Sequence, residues 1–419
     1  MATRSSSEPA KHGAVLLGLG WFLCSLFFFY AFVHRNAPSV MVEDLMRDFA
    51  VGGAILGNLS AFYFYAYAGS QVPVGVLIDR FGPRRMISGA VAVAALGSVV
   101  FALADQLWLA NIGRLLIGFG CAFSFAGALN YAAIWLPTRH FAALGGGAQA
   151  MGVLGGIVGQ APLGVAIEHF GWRPTTLALA VAGLALALAC AVVLRDKPRR
   201  ATGVDDHHGL LAGLKIAAVQ PQTWLCALFG FSMTSTMLTF GSLWGVPFFE
   251  RAHNLSTVDA AKLASVLLIG WGIGAPLIGW ISDRLQRRRL MMSIGGMLSI
   301  LGFIGAVYIP SMPLVGVGIA LAIQGVGSSS MVLAFALARE HNPDWASGAT
   351  IGIVNCLVVG SGAIMQPLSG YLLDLGWDGA MQDGARVYSE EAFRGAFLIL
   401  PAIGFTGFVT TLLMQEKDG

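Results

Sequence analysis

Two arginines stand where a chain of this composition has least reason to hold charge. Arg35, in YAFVHRNAPS, and Arg114, in RLLIGFG, lie in or at the rim of long apolar runs. Guanidinium in hydrocarbon is costly unless it faces a cavity or a partner, so both are candidates for holding an anion. For Arg35 the competing reading is a side chain that snorkels to the interface; for Arg114 it is a structural arginine bonded to backbone carbonyls or neighbouring helices. In AFYFYAYAGSQ, Tyr63, Tyr67 and Gln71 recur every fourth position and share one helix face. They form a candidate polar wall for a binding cavity, with Trp244, Asn355 and Gln366 as counterparts in the second half. Asn130 and Gln324 are weaker candidates, since bridging between helices explains them as well. His34, next to Arg35, is a candidate titrating group.

A different chemistry is written in GVLIDRFGPRR, residues 75–85. Gly75 removes a side chain and lets two helices approach. Asp79, at the end of an apolar run, is suited to accept hydrogen bonds from the N-terminal amides of a neighbouring helix and to favour its dipole. Arg80, Arg84 and Arg85 follow within six residues, with Gly82 at the turn. A second copy, GWISDRLQRRR at 279–289, repeats Gly279, Asp283 and Arg284. For Arg85 and Arg287 to Arg289 the simpler role is anchoring a loop on one side of a membrane.

Such residues need a membrane scaffold. The chain has 419 residues, 56% hydrophobic and 11% charged, where soluble domains carry about a quarter charged residues. A bilayer core needs about 20 apolar residues per helix, and apolar runs predict spans near 14–37, 54–78, 86–104, 108–135, 141–169, 175–194, 221–249, 258–281, 290–309, 313–338, 346–373 and 395–414. The first run lacks a signal-peptide cleavage site and is read as a retained span. Seventeen of the 25 Lys and Arg fall on the side that holds both termini, and six on the other; this bias predicts both termini in the cytoplasm. The five cysteines all lie in apolar runs, without disulfide or metal spacing. A net charge of +3 implies no general attraction to nucleic acid.

RDKPRRATGVDDHHGLLAGLKIAAVQ, residues 195–220, separates an N-terminal six-helix bundle (1–194) from a C-terminal one (221–419) as a cytoplasmic central loop, in which GLLAGLKIAAV is suited to a short interfacial helix. The halves repeat: besides the 75–85 and 279–289 pair, GFG at 118–120 recurs as GVG at 325–327, and PLGVAIEHFGW at 162–172 as PLSGYLLDLGW at 367–377. A duplicated six-helix unit is a ground plan of secondary transporters, with the substrate site between repeats.

On these residues the chain resembles the major facilitator superfamily. The 75–85 run is similar to its G-x-L-x-D-R-x-G-x-R-R loop, and Arg114 to Gly120 to its R-x-x-x-G-x-G element. The resemblance implies an all-α membrane protein with twelve spans in two pseudo-symmetric bundles, working by alternating access as a monomer. It also implies that Asp79, with Arg80 and Arg84, latches the halves by capping the eleventh span near Trp345, and that Asp283 does the same for the fifth near Phe141.

Apart from Asp79 and Glu168, the spans are expected to hold no carboxylate, and Pro162 follows Ala161 where the superfamily's antiporter signature has Gly-Pro. Both features disfavour exchange of cationic drugs for protons. The expected cargo is a small organic anion of carboxylate type, with a proton carried by the cargo or by His34, in a bacterial inner membrane. Export of a larger polycarboxylate such as a siderophore, or of drugs, and a non-transporting receptor on the same fold are the alternatives. No P-loop, metal cluster or soluble ATPase domain is present, so neither enzyme activity nor a cofactor is expected. The loop from Asp374 to Phe397 is read as a connector, or a lid over the cavity.

Overall fold

The computed structural model describes residues 11–196 and 210–416; within these, the side chains of 11–14, Val76, Asp79, Thr138, Ala142 and 210–211 are outside the description. Lipid offers backbone amides no partner, so each apolar run closes its own hydrogen bonds as a helix. Eleven helices are long and apolar enough to cross a membrane, twelve with the bent pair Val42–Phe49 and Gly53–Gly69. The first span is Val15–Val40. The second is Gly53–Gly69 continued by Gln71–Phe81, with the bonds Ser70 N to Ala66 O (3.1 Å) and Val74 N to Ser70 O (3.0 Å) running through the junction. Spans three to six are Pro83–Ala102, Leu107–Trp135, Ala143–Phe170 and Trp172–Val193; seven to nine are Pro221–His253, Thr257–Leu285 and Arg288–Tyr308; ten to twelve are Leu314–Glu340, Asp344–Leu375 and Glu390–Leu413. The expected boundaries hold to within five residues.

The spans make two six-helix bundles. The turns at 81–83, 136–142, 286–287 and 341–346 share one face with the described chain ends, here the basic end; those at 102–107, 253–257, 308–314 and 375–390 share the far end. The seventh span is central, with 83% of its apolar window buried, and the sixth is peripheral, with 33%. From the central segment, Leu210–Val219 is helical. It packs through Gly213, where an added Cβ would lie 3.3 Å from Ala349 Cβ at the start of the eleventh span.

Two local features position the site. Met237–Trp244, in the seventh span, winds as a π-helix, a wider turn that exposes carbonyls and is frequent at functional sites. At the far end the second and eleventh spans touch backbone to backbone: a Cβ on Gly370 would lie 2.1 Å from Gly53 O, and one on Gly57 2.5 Å from Gln366 O. Helices in lipid associate by such close approach and by polar contacts.

Candidate functional site

A cavity of about 890 Å³ lies between the bundles. It reaches from Arg35 and Leu238 at mid-depth to Gly145 and Phe335, each about a turn from the basic end of its helix. Its polar lining is Arg35, Tyr67, Gln149, Thr234 and Asn355, and its apolar lining includes Phe28, Phe32, Phe125, Trp271 and Met237. Among the described residues no Asp or Glu lines it.

Arg35 is 7% exposed. Helical spacing places Phe32 beneath it, with the guanidinium carbon 4.2 Å from that ring's centroid, 5.1 Å from Tyr67's and 5.8 Å from Tyr63's. Its Nε has no hydrogen-bond partner, and among the described residues no carboxylate pairs with it. Aromatic rings stabilise the cation and the Tyr63 and Tyr67 hydroxyls interact with it, but none of these groups neutralises its charge.

Arg114 is arranged differently. It is 1% exposed and absent from the cavity wall, donating to His34 O (2.9 Å) and Ser60 O (3.3 Å). Tyr63 stands between the two cations, its centroid 5.2 Å from the Arg114 guanidinium carbon, and its hydroxyl donates to Ala31 O. His34 also lies behind the wall, its Nε2 3.2 Å from Ser98 Oγ.

The other expected residues divide. Tyr67 and Asn355 line the cavity, and Asn355 Nδ2 donates to Gln71 Oε1 (2.5 Å), joining the second and eleventh spans. Trp244 and Gln366 sit outside the cavity and close its far side. Gln366 Nε2 donates to Leu238 O of the π-helix (2.6 Å), and Trp244 Nε1 to Gln366 O (3.3 Å). From the opposite bundle, Gln160 Nε2 donates to Gly241 O of the same π-helix (2.6 Å), while Ser265 Oγ donates to Gln160 Oε1 (2.7 Å).

The far end is clamped by Asp374. Its two oxygens accept from Gly53 N and Ala54 N, each at 2.9 Å, so a carboxylate of the second bundle caps a helix of the first. The Tyr388 hydroxyl donates to the same carboxylate (2.6 Å) and Arg386 pairs with it (3.0 Å). Burial and the Asp374 carboxylate push the Tyr388 phenol above its ordinary range, which keeps it a donor. The loop after Asp374 is therefore part of a clamp.

At the basic end the expected latch takes another form. Around Gly75 and Gly279 nothing lies within 4 Å of an added Cβ, so neither glycine serves a close approach here. Arg84 bonds within its own bundle, through Nε to Ala191 O (2.7 Å) and through its backbone N to Asp196 (2.9 Å), with Gly82 at φ +86° making the turn. Asp283 pairs with Arg288 (3.4 Å) instead of capping the fifth span, and Arg288 also holds Glu340 (2.7 Å). The bundles stand apart at this end, so their charges find partners at home. Arg80 and Arg284 lie against Phe81 and Trp280, and Arg85 is exposed. The Asp79 side chain, Arg4, Lys197, Arg199, Arg200 and Lys417 lie outside the described residues.

A further group of carboxylates lies toward the far end. Glu168, Glu43, Asp44 and Glu250 line a separate opening of about 350 Å³, and Asp259, inside the expected eighth span, is exposed in its first turn and pairs with Lys262. Among the described residues no Asp or Glu is buried.

Sequence reasoning missed Gln149, Gln160, Trp271 and the Asp374 clamp. A signal existed for Gln160: it stands just before the PLGVAIEHFGW copy, as Gln366 stands just before PLSGYLLDLGW. For Asp374, 321 residues from Gly53 in sequence, there was none beyond its place in the repeat.

Known proteins share this architecture. A gentisate transporter of Corynebacterium glutamicum is 24% identical over 418 residues, 95% of this chain and 91% of that one. A probable sulfoacetate transporter of Cupriavidus necator is 21% identical over 276 residues, 63% of this chain and 64% of the relative. The crystal structure of a bacterial homolog to the human lysosomal transporter Spinster, inward-facing and unoccupied, has a TM-score of 0.76 at 17% identity, covering 98% of this chain and all of that one, a likeness of fold. The sequence profile described as Major Facilitator Superfamily matches residues 23–287 and 246–418. With twelve spans, a repeated loop signature and a cavity between two bundles, the chain belongs to the major facilitator superfamily and is an integral membrane transporter, not an enzyme.

Proposed function

We propose that the protein is a gradient-driven carrier of a small organic anion of carboxylate type, working by alternating access in a bacterial inner membrane. One observation carries this reading: Arg35 is a buried cation on the wall of a large cavity where, among the described residues, no acidic side chain neutralises it. A buried charge without a counterion is strongly disfavoured, and an anionic cargo supplies the partner. The relatives' names support it, since gentisate and sulfoacetate are organic-acid anions. The excess of Lys and Arg at the basic end supports placing that end in the cytoplasm, with the cavity open toward it. The absence of a buried carboxylate among the described residues supports a coupling proton carried by the cargo acid itself. Release of the Asp374 clamp, together with closure of the 75–85 and 279–289 loops by Asp79 and Asp283, would give the opposite state. By the same reading the protein acts as a monomer.

The test separates the two arginines in proteoliposomes and by thermal unfolding. Arg35→Gln should lower carboxylate uptake at least about a hundredfold, since it removes a desolvated charge pair, while leaving the melting temperature near wild type. Arg114→Gln should lower stability by about 3 kcal/mol through orphaned carbonyls. Carboxylate uptake that survives Arg35→Gln would remove the reading.

A further inference from the structure

The chemistry of the wall narrows the cargo beyond its charge. Resting on the anion-carrier reading, we infer that the cavity selects monocarboxylates with an apolar, ring-sized body over dicarboxylates and polyhydroxylated acids of similar size.

Three features lead there. The lining holds one cation: Arg35 is the only Lys, Arg or His on the described wall, and Arg114, the other buried arginine, donates to backbone carbonyls behind it. A second carboxylate entering the cavity would lose its water and meet no positive partner.

Most polar groups on the wall are already bonded within the protein. Thr234 Oγ1 donates to Gly230 O (2.7 Å) and lies 3.1 Å from Ser361 Oγ, and Asn355 Nδ2 donates to Gln71. The Trp271 indole N–H, on a residue 4% exposed, has no hydrogen-bond partner but is itself buried, as is Arg35 Nε. Arg35 is therefore the charged partner that the described wall offers a carboxylate. Gln149 is the one further amide, too little to replace the hydration of several hydroxyls.

The remaining wall is aromatic and aliphatic. Phe28 packs against Phe32 at 4.8 Å and against Phe125 at 4.9 Å between centroids, with Met237 and Phe335 on the other bundle. Such surfaces favour an apolar body displaced from water, and about 890 Å³ leaves room for one beyond the carboxylate.

The experiment measures binding to the purified full-length protein by thermal shift and by competition in counterflow, with four probes: 3-phenylpropanoate, its ring-carboxylated analogue 4-(2-carboxyethyl)benzoate, glucarate, and the neutral 3-phenylpropanamide. The monoacid should bind at least about tenfold more tightly than the two dianions, because each extra charge or hydroxyl enters without a partner. Gln149→Lys, which places a second cation on the wall, should improve binding of the ring-carboxylated diacid by about tenfold relative to the monoacid. Dianion or glucarate binding equal to the monoacid in the wild type overturns the inference while leaving the anion-carrier reading intact. If the amide binds as well as the acid, or no carboxylate binds, both fall.

Discussion

The second and eleventh spans carry glycines at both ends, and the two ends behave oppositely. At the far end Gly53, Gly57 and Gly370 bring backbones so close that added Cβ atoms would lie 2.7, 2.5 and 2.1 Å from carbonyl oxygens. At the basic end Gly75 and Gly348 have nothing within 4 Å of an added Cβ. Glycine permits close approach and does not compel it. The polar groups alongside differ: Asp374 reaches across to the amides of Gly53 and Ala54, whereas Arg84 and Arg288 bond within their own bundles. A helix pair in lipid gains little from burying apolar surface, so close glycine contacts together with a carboxylate on a helix N-terminus favour the shut far end.

Three substitutions break or sharpen this contrast, read by the distance distribution between spin labels at Ala50 and Gln382 on the far end. Gly370→Val should have the largest effect. Its side chain would enter the Gly53 backbone, destabilise the closed far end by about 3 kcal/mol, and shift the population roughly a hundredfold toward a longer distance; an unchanged distribution would show that the contact is not what holds this end.

Asp374→Asn keeps the shape of the clamp and removes its charge. Replacing charge-assisted bonds to two amides and Arg386 by neutral ones should cost about 2 kcal/mol, seen as a smaller lengthening. If it lengthens the distance as much as Gly370→Val, the carboxylate and not the glycine contact is the dominant restraint.

Arg288→Gln should do least. Its partners, Asp283 and Glu340, are partly exposed and in the same bundle, so about 0.5 kcal/mol of stability is at stake, and the far-end distance should not move. A change there would mean that the basic-end charges already couple the bundles in this state.

Run length made the spans legible, because about 20 apolar residues have few other uses. The Tyr63, Tyr67, Gln71 stripe was legible from helical spacing, although only Tyr67 reaches the cavity; Tyr63 and Gln71 turn to Ala31 O and Asn355. Arg35 and Arg114 looked alike, each a lone guanidinium among apolar residues. Neighbouring backbone separates them: the carbonyls of His34 and Ser60 surround Arg114, and aromatic rings surround Arg35. Gln324 was ambiguous in the sequence and Gln160 was not singled out, yet Gln160 clasps the π-helix from the other bundle while both polar side-chain atoms of Gln324 lie buried without a partner.

The sequence by itself determined which segments cross the membrane, how they alternate, that the unit is duplicated, and that its embedded charge is arginine. Those properties follow from the solvation of each segment taken alone. Tertiary structure decided which arginine faces the cavity, which end is clamped, and that the 374–397 loop is part of the clamp. The physical reason is that one apolar helix face is nearly as good as another against lipid. The choice falls to close backbone approach and to single hydrogen bonds between residues such as Gly53 and Asp374, 321 positions apart.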